Sequence, residues 1–245
     1  MVAVQRYLHG LTGSDSAAVS KAAEETLRAL VAGTARMGGL VPNQICAAGF
    51  AVHLLGDSFA HRRLDDASQM YPTGRGHLTD GHNPDFILYN SRSEQDPYKE
   101  RWEKNYLLYA KTIDRALGSA TAPERWTALM TVLQRLYAGA QVSNEYNQNE
   151  LRSALLNELG ARGSKARRIW AAYDPAIEAM GSNTTCKDIL AKLAPPEMRA
   201  RLNCNVIWDI YKKEVVKAFA RAQIAQKCRL DDYWTDGVSP RLPGR

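Results

Sequence analysis

The chain has 245 residues, of which 45% are apolar and 24% charged, with a formal net charge of +6. That is enough material for a sizeable core in one large domain or two small ones, and the composition is ordinary for a globular protein. No apolar run approaches the roughly 18–20 residues that cross a bilayer, which excludes a helical membrane span.

The N-terminal stretch MVAVQRYLHGLTG has neither a long apolar centre nor a small-residue cleavage site, so no secretion signal is expected. It begins as a domain excised from a longer chain would. Residues 15–39 carry apolar side chains at helical spacing and end in a double glycine. Residues 42–63 open on a proline and continue the 3.6-residue period for about six turns. The next stretch, 64–96, is rich in Asp, Gly, Pro, Ser and Asn and shows no periodicity. A loop of that length inside a domain is usually functional or disordered.

Helical patterns resume over 98–117, 123–142, 148–160, 164–180, 184–193 and 196–228, separated by breakers such as GSATAPE, GARGS, GSNTT and APPE. Alternation of apolar and polar residues never persists long enough for a strand. The predicted fold is therefore all-α, a single bundle of seven or eight helices over 1–235, with a frayed tail at 236–245.

Four cysteines, Cys46, Cys186, Cys204 and Cys228, are too scattered for a zinc ribbon or a redox CxxC pair. Cys46 reads as a small core residue. The last three leave room for one disulfide, for instance Cys186 with Cys204 or Cys228, or for buried free thiols; a bond would imply an oxidising compartment. Basic residues concentrate in 160–168 and 211–229, which favours anionic partners, although solvated helix faces give the same pattern.

Chemistry concentrates in one place. Of five histidines, four fall between positions 53 and 82. His53, Asp57 and His61 advance by about 40° per step of four and form one narrow helical stripe, with about 12 Å of rise from end to end. Three ligands strung over that length suit two neighbouring ions, with Asp57 between them and a histidine at each end. His77, Asp80, His82 and Asp85 in the following loop, and His9 from the N-terminal segment, are candidates for the remaining ligands. A single histidine on a helix is usually a satisfied core or surface residue; this concentration points instead to metal. Ser58 beside Asp57 would most simply hydrogen-bond locally.

The motif HLLGDSFAH, followed by a GH…GHNPD loop, resembles a group of poorly characterised bacterial proteins with an HxxxDSFxH signature. Those in turn resemble the zinc-dependent phospholipase C and single-strand nuclease superfamily. The likeness covers roughly residues 45–90, with His9 as an extension. It implies an all-helical hydrolase of phosphodiester bonds whose His53 and Asp57 match the superfamily's HxxxD pair and whose His61 stands for the next histidine. The superfamily's metal-binding N-terminal Trp and its HxxxE/D spacing are lacking, which favours two divalent ions, zinc first, over three.

On that resemblance Asp57, Asp80 and Asp85 would be ligands or a general base, and Arg62, Arg63 or Arg75 would clamp the phosphate. Phospholipid is the expected substrate, with an apolar patch at DFILY (85–89). Nucleic acid is the alternative, favoured by the basic half and by Tyr98, Trp102 and Tyr106. A non-enzymatic domain with a structural metal is a third reading. A toxin domain of a larger exported effector, with an immunity or inhibitor protein as partner, would suit the abrupt start.

Overall fold

The computed structural model describes residues 2–36, 42–63, 66–74, 99–118 and 196–224, with isolated positions between 123 and 194. Among them are the helices α1 (Val2–Tyr7), α2 (Ser16–Arg36), α3 (Pro42–Ala60), α4 (Lys99–Ala116), α5 (Pro196–Arg199) and α6 (Cys204–Arg221). The chain is all-α, and among the described residues the extended backbone amounts to two isolated bridges, Asp15 with Gln69 and Arg62 with Met70. No helix of the described residues is long and apolar enough to cross a membrane.

Helix α2 begins where Asp15 accepts the backbone N–H of Ala18 at 2.7 Å, satisfying a donor that the first turn leaves open. Proline at the first position of α3 costs nothing there, because that N–H has no partner inside the helix. The apolar stripes then pack together. Val19, Ala22, Ala23, Leu27 and Leu30 of α2 meet Ala47, Ala51, Leu54, Leu55 and Phe59 of α3. Ile207, Tyr211, Val215, Ala218 and Phe219 of α6 close the core at the same three- and four-residue spacing. Helix α4 lies against α2 and α3.

Two predicted elements differ. The pattern over 196–228 reads as one helix, but the backbone turns between Arg199 and Cys204. Asn203 provides the reason: its side chain accepts the N–H groups of Asn205 and Val206 at 3.0 and 3.2 Å, and its own N–H is held by the Asn43 side chain. That starts a fresh helix, and Gln223, at φ 52°, ends it. The second difference lies in the long loop. Its residues 66–74 run beside the start of α2 and the end of α3, and Met70 and Tyr71 are buried in the process.

Cys204 is disulfide-bonded, its partner lying outside the described residues. Cys46 is a free, half-buried thiol packed against the core, and burial raises its pKa. The predicted helix over 148–160, the 236–245 tail and the DFILY patch lie outside the described residues.

Candidate metal centre

The stripe on α3 sets the geometry. His53 and Asp57 project from its last two turns, and His61 follows directly, its N–H still bonded to the Asp57 carbonyl at 2.7 Å. The N-terminal segment meets this stripe. After α1, the N–H groups of Leu8 and His9 both donate to the Val4 carbonyl, and Gly10 then turns the chain at φ 62°. A Cβ is disfavoured in that backbone conformation, so glycine is the natural occupant. The turn delivers the His9 ring onto α3.

One carboxylate oxygen is the meeting point. Asp57 Oδ2 lies 2.8 Å from His9 Nδ1, 3.2 Å from His53 Nε2 and 3.6 Å from His61 Nδ1. The His9 and His53 rings approach edge to face, with 3.3 Å between His53 Nε2 and His9 Nδ1. Burial by itself would raise the Asp57 pKa. Hydrogen bonds from His53 and His9, with the nearby charge of His61 and His53, outweigh it and hold the group down at about 2. Asp57 is therefore a carboxylate at any ordinary pH.

These donors suit a divalent cation. Bonds of about 2.0–2.1 Å to nitrogen and oxygen imply donor separations of roughly 3.3 Å around a tetrahedral ion; here His9, His53 and Asp57 offer 2.8, 3.2 and 3.3 Å. The set of two imidazoles and a carboxylate is one that zinc, manganese and iron all accept. Among the described residues, His9, His53 and Asp57 are the group whose ligand atoms gather closely enough for this. The side is open: 48% of the His53 side chain and 36% of His9 are exposed, against 15% of Asp57.

His61 is placed differently from the other two histidines. It is buried, and its Nδ1 lies 3.0 Å from the main-chain carbonyl of His9. Arg62 turns toward the helix packing: Nε donates to the Ser58 carbonyl at 3.0 Å, Nη2 to Ser20 Oγ at 3.1 Å, and the guanidinium lies 4.7 Å from the Phe59 ring centre. The backbone N–H of Arg63 donates to the Gln69 carbonyl. Ser58 Oγ donates to the Leu55 carbonyl at 2.7 Å, the local bond expected of it. Arg75, His77, Asp80, His82 and Asp85 lie outside the described residues.

Two tyrosines near Asp57, Tyr109 and Tyr211, escape the sequence reading of the site; Tyr106, expected there as part of an aromatic stripe, packs against Tyr109. Tyr109 of α4 packs on Gly56, where an added Cβ would meet its hydroxyl at 3.4 Å. Burial, then Tyr106 and Asp57, push the Tyr109 pKa up to about 12; burial also raises Tyr106. Tyr211 of α6 is raised as well, by burial and by Asp57, and its hydroxyl donates to the Tyr7 carbonyl. All three stay protonated and can donate hydrogen bonds. The available signal is faint: a bare glycine one residue before Asp57, and two tyrosines three apart on a predicted helix.

The chain matches no protein-family model, no curated protein and no solved structure.

Proposed function

We propose that this protein is a metal-dependent hydrolase of phosphate esters, acting on phospholipid ahead of nucleic acid. The observation that carries the metal half of this reading is the convergence of His9 Nδ1, His53 Nε2 and Asp57 Oδ2 on one partly exposed point. Structural zinc sites are closed by four protein ligands, whereas catalytic ones combine three with an open position. Three donors with an open flank favour the second kind. The phosphate-ester half is supported by the resemblance carried by HLLGDSFAH and by the positive net charge, which attracts anionic substrates.

In this reading His9, His53 and Asp57 hold the cation. When bound, it would supply Lewis-acid polarisation of a phosphoryl oxygen and acidify water for attack on phosphorus. Asp57 brings the negative charge that favours cation over proton. Tyr109, kept protonated beside Asp57, gives the site a neutral hydrogen-bond donor on the α4 side. The disulfide at Cys204 suits an oxidising compartment, and hence an exported protein.

The test is direct. Purified protein loaded with zinc or manganese should release diglyceride or fatty acid from phospholipid vesicles, and a chelator should abolish the release. Degradation of single-stranded or plasmid DNA under the same conditions, without lipid cleavage, would move the assignment to a nuclease. Asp57→Asn should leave a folded protein with activity lowered by at least about 100-fold, the scale on which lost transition-state charge stabilisation is felt. Unfolding of that variant, or no turnover of either substrate by metal-loaded wild type, would favour a structural metal instead.

A further inference from the structure

We infer that His61 is a positioning residue, which seats His9 in the cation site through the His9 main-chain carbonyl. This rests on the metal reading above and assigns His61 a part within it.

A carbonyl oxygen accepts and never donates, so the contact at 3.0 Å requires that His61 Nδ1 carry a proton and point it at His9. The tautomer is thereby fixed by geometry. The same nitrogen stands 3.6 Å from Asp57 Oδ2, beyond a good hydrogen bond but close enough for its N–H dipole to favour the carboxylate. One N–H thus faces both the backbone of one donor residue and the side chain of another.

His61 itself has little freedom. It is buried, with 7% of its surface exposed. Its own N–H continues the α3 hydrogen-bond ladder onto Asp57, and its carbonyl accepts the Tyr71 N–H at 3.0 Å. The imidazole therefore projects from a point locked by α3 and by the 66–74 segment. His9 is the opposite case. It follows a helix of six residues, and from there the chain runs on without regular structure to the start of α2. Three side-chain bonds from elsewhere grip the stretch at its carbonyls: Tyr211 at Tyr7, His61 at His9 and Thr73 at Leu11. The second is the one next to the ring that meets Asp57. Hydrogen bonds of this kind orient metal-binding residues, and their loss typically costs about 10–100-fold in affinity.

Isosteres separate the two roles open to His61. The amide nitrogen of asparagine falls near the position of Nδ1, and that of glutamine near Nε2. Zinc binding is measured calorimetrically on wild type, His61→Asn and His61→Gln, with His9→Ala as the control for a lost donor. Positioning through Nδ1 predicts that His61→Asn stays within about 3-fold of wild type, while His61→Gln weakens by about 10–100-fold. Loss of affinity in His61→Asn, or wild-type affinity in His61→Gln, overturns the inference.

Should His61→Gln fail to fold, nitrogen-15 NMR of the wild-type imidazoles decides. Zinc should move the ring nitrogens of His9 and His53 strongly and leave His61 Nε2 nearly in place; a large zinc-induced shift at His61 Nε2 would make it a ligand and end the proposal. Wild-type protein that takes up no zinc removes the metal reading itself, and this inference with it.

Discussion

At the scale of single residues, Asp57 shows how a largely desolvated charge is kept. Taking a carboxylate out of water is costly, and burial is the strongest influence on this one. It remains ionised because ring N–H groups from two segments point at the same oxygen. Those protons occupy the seat that a cation would take, so cation uptake should release protons to solvent. Gly56, beside it, is open to a sharper test. Alanine adds a methyl that meets the Tyr109 hydroxyl at ordinary contact distance and removes a flexible mid-helix glycine. Gly56→Ala should leave the fold intact and raise stability by up to about 1 kcal/mol. Gly56→Leu directs a larger side chain at the space of Tyr109, and should lower stability by about 1–3 kcal/mol in denaturant unfolding. Equal behaviour of the two would mean that Tyr109 does not depend on this gap. The stripe His53, Asp57 and His61 was legible because helical spacing alone puts fours on one face. The partnership of His9 with Asp57 was open to suggestion only, since it spans 48 positions of sequence and depends on a turn at Gly10. Arg62 read as a phosphate clamp because nothing in its neighbourhood of the chain announces Ser20, 42 positions away.

At the scale of elements, the bundle is tied by side chains at the helix flanks as well as by its core. Glu24 of α2 accepts two hydrogen bonds from Arg115 of α4, at 2.9 and 2.7 Å, and a third contact from Arg28 at 2.6 Å. The Arg115 hydrogen bond, together with the charges of both arginines, lowers the Glu24 pKa against the opposing effect of burial. A carboxyl depressed in the folded state contributes stability that is fully present above its unfolded pKa and is lost as pH falls through its folded value. Because Arg115 is exposed, the contribution is of surface size, about 0.2–1 kcal/mol. Glu24→Gln should be less stable than wild type by that amount at pH 7, and the gap should close in the acid range below the ordinary carboxylate pKa. A gap that is unchanged at low pH would show that charge is not what holds α4 here. The helices themselves were legible: 15–39, 42–63 and 98–117 enclose α2, α3 and α4, because apolar side chains at three- and four-residue spacing have to face a core. The break before α6 was not, since it depends on Asn43 reaching Asn203 from a different helix. Met70 and Tyr71 were hidden for a similar reason. They sit in a polar, aperiodic stretch and are buried by what surrounds them.

At the scale of the whole molecule, α3 is the organising element. Its apolar faces meet α2 and α6, and its polar stripe receives the N-terminal segment where α1 ends. The N-terminal segment is clasped from three directions: by Tyr211 of α6, by His61 after α3, and by Thr73 Oγ1, which donates to the Leu11 carbonyl. A cation held by His9, His53 and Asp57 would add a fourth clasp between the start of the chain and its central helix, so fold and site share one construction. The proposed function depends on that junction. Crystals grown with zinc and measured at the zinc absorption edge interrogate it without reference to substrate. An anomalous peak at about 2.0–2.1 Å from His9 Nδ1, His53 Nε2 and Asp57 Oδ2 is the expected result. A map with zinc bound elsewhere on the chain and no peak among those three atoms would contradict the account.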